Sequence, residues 1–107
     1  MKIIQDLTDL IKEELDASRH YIDEALKWRA SRPELSDTFF HLSQDEFHHQ
    51  QLLHDEVATL IREYQKSHGS PPKEMMAIYE YVHDIEIEKA KEILILQDLY
   101  KSKIWLF

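Results

Sequence analysis

The chain has 107 residues, a formal charge of −8 and no cysteine. The charge argues against nucleic-acid binding, which requires clustered Lys and Arg, and the absence of cysteine excludes disulfides and thiolate metal sites. No stretch resembles a signal peptide or approaches the roughly 18 apolar residues of a membrane span, so we expect one cytoplasmic domain that binds neither membrane nor nucleic acid.

The composition is typical of long helices joined by short turns, with one Gly and three Pro in a chain that is 43% hydrophobic and 32% charged. The first helix is predicted from about residue 3 to 29. Glu14 falls in the middle of its apolar stripe, where a carboxylate is unexpected. The stripe comprises Ile3, Leu7, Leu10, Ile11, Ser18, Tyr21, Ala25 and Trp28.

A second helix is predicted from about residue 32 to 67, because Ser31-Arg32-Pro33-Glu34 resembles a capping box with an early proline. Glu46 lies within its apolar stripe, and His49 follows on the flank of the same face. An ionised carboxylate there would cost several kcal/mol unless something compensated it. The stripe comprises Phe39, Leu42, Leu53, Val57, Leu60 and Tyr64.

The two carboxylates are predicted to lie at one height in the hairpin. With the turn near residue 31 or 32, Glu14 is level with a position near 49 in an antiparallel pair, and Glu46 and His49 lie within roughly 5 Å of that height. Carboxylate and imidazole ligands suit iron, manganese or zinc. The alternative is an ordinary core in which Arg or His neutralises the carboxylates.

The third helix is predicted from about residue 73 to 104, after a break at His68-Gly69-Ser70-Pro71-Pro72. Short turns then imply three antiparallel helices, up-down-up. Its predicted apolar stripe comprises Met75, Ile78, Val82, Ile85, Ile93, Leu96 and Tyr100.

Several polar residues of the second and third helices leave alternatives open. Glu80 and His83 repeat the Glu-x-x-His spacing, while level counting favours Glu92 as an extra ligand. Glu86 is interpreted as half of a solvated pair with Lys89. His54 lies near the edge of the second helix's stripe and could support the metal site, but a surface position is expected for it, as for His41, His48, His68 and Glu56. On the first helix, a packing role is expected for Tyr21. The apolar tail, residues 104–107, would either dock on the core or contact a partner.

The motifs resemble those of the ferritin-like superfamily over about residues 7 to 60. Glu14 has Tyr21 seven residues on, and Glu46-Phe47-His48-His49 gives the Glu-x-x-His motif. The resemblance implies an all-α, ferritin-like four-helix bundle with a carboxylate-bridged di-iron site. Glu14 and His49 would be terminal ligands and Glu46 the bridge, and the three would also be the catalytic residues of a ferroxidase that oxidises Fe(II) with dioxygen or peroxide.

One departure from the family bears on assembly, because a full ferritin-like bundle carries the ligand set twice. This chain has one such hairpin and a third helix, so two copies related by a two-fold axis would complete the bundle. We therefore expect a homodimer or larger homo-oligomer, similar to encapsulated-ferritin and rubrerythrin-like proteins, although no encapsulin-targeting tail is recognisable. The alternative function is a metal-independent helical structural or interaction protein. Manganese or zinc in place of iron stays open.

Overall fold

The computed structural model describes residues 2–102, which form three helices joined by short turns. Helix α1 spans Lys2–Trp28, α2 spans Pro33–His68 and α3 spans Lys73–Ser102. The all-helical class is confirmed, and each predicted helix end within the described part lies within one residue of the observed end. The predicted end of the third helix at 104 and the apolar tail lie outside the described residues.

The two turns follow from proline and glycine chemistry. Pro33 occupies the first turn of α2, where its missing N–H costs nothing. Arg32 is the N-cap and makes no side-chain cap hydrogen bond, so the predicted Ser31 capping box is wrong. At the other end of α2, Gly69 adopts a positive φ of 75° and its N–H donates to the Gln65 carbonyl at 3.0 Å.

The core lies along one line of buried residues on each helix, at alternating spacings of three and four as in coiled coils. We call these lines the inner seam. Its buried members are Ile11, Leu15, Ser18, Ile22 and Ala25 of α1, Ser36, Phe40, Ser43, Phe47, Gln50 and Val57 of α2, and Glu86, Ile93, Gln97 and Tyr100 of α3.

Helix α3 is held on the α1–α2 hairpin by apolar and polar contacts. Ile93 packs in one cluster with Ile11, Leu15, Phe47 and Val57. Near the other end of α3, Tyr100 packs with Ile22, Ala25 and Phe40, its ring stacked on that of Phe40 at 4.6 Å. Polar side chains add hydrogen bonds between α2 and α3, from Gln97 Nε2 to Ser43 Oγ at 3.0 Å and from Ser36 Oγ to Tyr100 Oη at 3.0 Å.

A second apolar line runs along the α1–α2 hairpin and is only half-buried or exposed. We call it the outer stripe. It comprises Leu7, Leu10, Glu14, Ala17, Tyr21 and Trp28 of α1, and Leu35, Phe39, Leu42, Glu46, His49, Leu53 and Leu60 of α2.

Helix α3 lies on the opposite flank of α1 from the outer stripe. Asp16 binds Lys89 at 3.3 Å and Arg19 binds Glu92 at 2.9 Å. Asp16 and Glu14 are two residues apart, so their side chains leave α1 roughly 160° apart. The hairpin thus presents α3 on one side and the outer stripe on the other.

The predicted apolar stripes are partly wrong. Ile3 and Leu10 are 52% and 44% exposed, and Ile78 and Ile85 of α3 are 67% and 41% exposed. The reason is that α1 and α2 each carry two apolar lines, and the predicted stripes followed the outer one over much of its length. On α3 the predicted line combined inner-seam residues with exposed ones.

Candidate metal centre

Two buried serines fix the height at which α1 and α2 meet. Ser18 Oγ donates to the Ser43 carbonyl at 2.7 Å, and Ser43 Oγ donates to the Ser18 carbonyl at 2.8 Å. Their small side chains let the two backbones approach closely. Counting outward from this level pair in an antiparallel hairpin brings Glu14 level with position 47, between Glu46 and His49.

Glu14, Glu46 and His49 come together on the outer stripe, and we call them the open cluster. One ligand atom from each lies within 4.8 Å of the others. His49 Nδ1 is 3.5 Å from Glu14 Oε2 and 3.7 Å from Glu46 Oε2. The geometry therefore brings together the three residues predicted as ligands, while their metal-binding and catalytic roles stay predictions.

The open cluster is less buried than expected. Glu14 and Glu46 keep 27% and 25% of their side-chain surface exposed, and His49 keeps 52%. The expectation that both carboxylates lie at the centre of the buried face is wrong, because the next residues along the chain, Leu15 and Phe47, occupy the inner seam. A step of one residue rotates a helical side chain by about 100°.

The donor set of the open cluster fits a hard or borderline cation. Glu14 Oε2 is buried and makes no hydrogen bond within residues 2–102, so the His49 imidazole at 3.5 Å is its nearest compensation. A cation between the two carboxylates and the imidazole would replace the hydration that Glu14 has lost. Two carboxylates and one imidazole suit iron, manganese or zinc.

A second group of potential ligands lies within the bundle, and we call it the inner cluster. It consists of His54, His83 and Glu86, with one ligand atom from each within 4.8 Å of the others. His54 Nε2 is 3.3 Å from Glu86 Oε2. Their side chains are 25% and 8% exposed. The apolar pattern of the sequence did not predict this cluster, and the expectations of a surface His54 and a solvated Glu86 are both wrong.

A ring contact supports the inner cluster from one side. Tyr79 stacks on His83 with ring centroids 5.7 Å apart and planes 11° apart, and His54 meets His83 edge-on at 5.3 Å. Burial raises the pKa of the Tyr79 phenol, and the nearby charge of Glu86 raises that pKa further. The charge of Glu86 therefore also acts on Tyr79, the residue that stacks on His83.

The other ligands considered on α3 do not reach the open cluster. Glu80 is exposed, and Glu92 is also exposed and binds Arg19 instead. His83 belongs to the inner cluster. Lys89, an awkward residue beside a cation site, binds Asp16 on the far flank of α1. Within the described residues, the open cluster draws its ligands from α1 and α2.

The remaining sequence expectations for single residues agree with the structure. Tyr21 stacks on Phe39 at 6.2 Å, which is a packing role. His41, His48, His68 and Glu56 are exposed.

The heptad spacing contained a signal for the inner cluster. Glu86 precedes Ile93 by seven residues and Tyr100 by fourteen, and His54 follows Phe47 by seven. Extending the seam from its apolar members at alternating steps of three and four reaches both polar residues. Such a line, rather than a broad apolar stripe, would have indicated that Glu86 and His54 face the core.

Comparison of the chain with protein-family models, curated proteins and solved structures found no match.

No helix within residues 2–102 is long and apolar enough to cross a membrane.

Proposed function

We propose that this protein is a ferritin-like di-iron carboxylate protein that oxidises Fe(II) with dioxygen or peroxide at a site shared by two copies of the chain. The observation that carries the proposal is the open cluster. Two carboxylates from different helices and one imidazole converge there, and the buried Glu14 Oε2 makes no hydrogen bond within the described residues.

The position of the open cluster supports a shared site. It lies on the outer stripe, where Leu10 and Leu35 are 44% and 45% exposed and the other apolar members are half-buried, and adjoining exposed apolar surface of this kind marks interfaces. A second hairpin packed on this stripe would bury it and bring a second Glu14, Glu46 and His49 to the same place. Four helices would then surround six ligands, which is the set that a di-iron carboxylate site uses.

The residues of the open cluster would bind and orient the Fe(II) substrate. Glu46 would bridge the two ions, while Glu14 and His49 would each hold one of them. The carboxylates favour the more highly charged ferric product over the ferrous substrate, which lowers the cost of oxidation. Tyr21 and Phe39 stack on each other further along the outer stripe, about two helical turns from Glu14 and Glu46.

The reaction balances with dioxygen or peroxide as the electron acceptor. Two Fe(II) ions lose one electron each. Both electrons pass to dioxygen, which takes up two protons and leaves as hydrogen peroxide, or to hydrogen peroxide, which takes up two protons and leaves as two water molecules. The chain has no cysteine, so a rubredoxin-type iron relay cannot be built from its own residues.

Anaerobic Fe(II) titration of the purified protein, followed by addition of oxygen, tests the proposal. We expect Glu46→Ala to lose two bound ions per dimer and the oxygen-dependent absorbance change of Fe(III) formation. The matched control is Glu63→Ala, which removes an exposed carboxylate from the same helix. If Glu46→Ala binds and oxidises iron as the parent protein does, the assignment is wrong.

A metal-independent structural or interaction protein is the second candidate. The exposed apolar members of the outer stripe favour it, because they would drive association without any metal. Protonated His49 would then compensate Glu14 and Glu46. Thermal melts of the parent protein and of Glu46→Ala with Fe(II), Mn(II), Zn(II) or EDTA separate the candidates, since this one predicts that each metal shifts the Tm of both proteins equally.

A further inference from the structure

We propose that the inner cluster is a second, separate metal site, at which His54, His83 and Glu86 bind one divalent transition-metal ion and join α2 to α3. The site is distinct from the open cluster. His49 and His54 are five residues apart, so their side chains leave α2 roughly 140° apart. The proposal does not depend on iron oxidation at the open cluster.

The burial of Glu86 is the first observation. Glu86 is 6% exposed overall, and it occupies the inner seam where an apolar residue would normally pack. Within the described residues, one of its oxygens, Oε2, is compensated by His54 Nε2 at 3.3 Å. The other, Oε1, is buried and makes no hydrogen bond within residues 2–102. A carboxylate oxygen left in this state is strongly destabilising.

The second observation is that His83 also has a buried polar atom, Nδ1, without a hydrogen-bond partner in the described residues. An ion pair between protonated His54 and Glu86 would explain the 3.3 Å contact between them. It would leave Glu86 Oε1 and His83 Nδ1 without a hydrogen-bond partner in the described residues. A cation bound by all three side chains would compensate the carboxylate of Glu86 and accept the lone pair of the His83 imidazole.

The spacing of the ligand atoms fits a metal ion. Two ligands at 2.0–2.1 Å from a tetrahedral ion lie roughly 3.3 Å apart, and the His54 Nε2–Glu86 Oε2 distance is 3.3 Å. His83 lies close enough to complete the set after a small side-chain adjustment, since all three ligand atoms fall within 4.8 Å. His83 and Glu86 are three residues apart on α3, so both face the same ion.

The donor chemistry selects the class of metal. Two imidazoles and one carboxylate favour Zn²⁺, Fe²⁺, Co²⁺ or Ni²⁺ over Mg²⁺ and Ca²⁺, which prefer oxygen ligands. Three protein ligands also leave a coordination position for water. Because His54 lies on α2 and the other two ligands on α3, the ion would fasten the first half of α3 to the hairpin.

Binding of Zn²⁺ and Co²⁺ to the full chain tests this site, in a Glu14→Ala, Glu46→Ala background that removes the open cluster. We expect one ion per chain by calorimetry, visible absorption of four-coordinate Co²⁺, and a Tm raised by about 10 °C at zinc a hundred times Kd. Glu86→Gln should weaken binding by roughly a hundredfold, whereas His48→Ala, an exposed histidine of α2, should leave it unchanged.

A gain-of-signal variant keeps the test decisive if Glu86→Gln fails to fold. The His54→Cys variant should still bind Co²⁺, because a thiolate replaces the imidazole as ligand. Its spectrum should gain the near-ultraviolet charge-transfer band of a cobalt–thiolate bond. A folded His54→Cys protein that binds Co²⁺ without this band would overturn the proposal. It would equally be overturned if the background protein bound no zinc. Because the background lacks the open cluster, failure of iron oxidation leaves these outcomes unaffected.

Discussion

The open and inner clusters use the same ligand chemistry in different settings. The open cluster joins α1 and α2 on an uncovered face, with His49 52% exposed. The inner cluster joins α2 and α3 inside the bundle, with Glu86 6% exposed. Both contain a buried carboxylate oxygen without a hydrogen bond in the described residues. Under the two proposals, the inner cluster binds its ion within one chain, whereas the open cluster needs a second copy of the chain to complete it.

The largest effect is expected from a cavity beneath α3. This change distinguishes the two clusters, because α3 carries ligands of the inner cluster and none of the open cluster. Ile93→Ala removes a side chain that is 1% exposed and should lower the free energy of unfolding by about 3 kcal/mol, because it leaves a cavity in the core. Urea denaturation in EDTA measures this. Zinc affinity at the inner cluster should fall with it, while Fe(II) binding at the open cluster should persist.

The matched control for this change is Ile95→Ala, since Ile95 is 66% exposed on the same helix. Its effect on unfolding should stay below about 0.5 kcal/mol. Equal losses in the two variants would contradict the packing of α3 through its inner seam.

Adding a charge to the outer stripe should weaken the dimer without touching the inner cluster. Leu10→Glu would bury a carboxylate in the proposed interface and should cost about 2 kcal/mol, or roughly thirtyfold in the dimer Kd, by sedimentation equilibrium. Leu52→Glu is the control, because Leu52 is similarly exposed, 52% against 44%, and lies outside the stripe. Equal dimerisation of the two variants would exclude the outer stripe as the interface.

Tyr100 fastens the end of α3 that is remote from the inner cluster. Tyr100→Phe removes hydrogen bonds with Ser36 and Asp37 and should cost about 1.5 kcal/mol at neutral pH, with zinc affinity unchanged.

The alkaline pH dependence provides a second readout for Tyr100. Burial, and then its hydrogen bond to Asp37, raise the pKa of its phenol in the folded state. The unfolded chain therefore loses this proton first. The contribution to stability is full below about pH 10 and is lost as the pH rises towards the folded pKa. Tyr100→Phe should reduce this loss of stability at alkaline pH. If the free energy of unfolding falls equally steeply with pH in both proteins between about pH 10 and 12, the assignment is contradicted.

The smallest effect is expected on the far flank of α1. Arg19→Ala removes exposed ion pairs to Asp23 and Glu92 and should cost about 0.5 kcal/mol or less, with the loss shrinking in high salt. Thermal melts at two salt concentrations measure it. A loss above about 2 kcal/mol would mean that these ion pairs, rather than the inner seam, hold α3 in place.

Helix boundaries and the height of the open cluster were accessible from the sequence, but the rotation of each helix was not. Pro33 and Gly69 mark ends that depend on local chemistry, and level counting from a short turn needs only the helical rise. The choice between the inner seam and the outer stripe depends on where α3 packs. Contacts such as Gln97 with Ser43 decide that, and they join residues 54 positions apart.

Native mass spectrometry of the protein loaded anaerobically with Fe(II) tests the shared site most directly. We predict a dimer that holds two ions which Glu14→Ala and Glu46→Ala each remove, while Glu86→Gln retains them, and a monomer that lacks them on dilution. A monomer that holds the same two ions, still sensitive to Glu14 and Glu46, would contradict a site completed by a second copy of the chain.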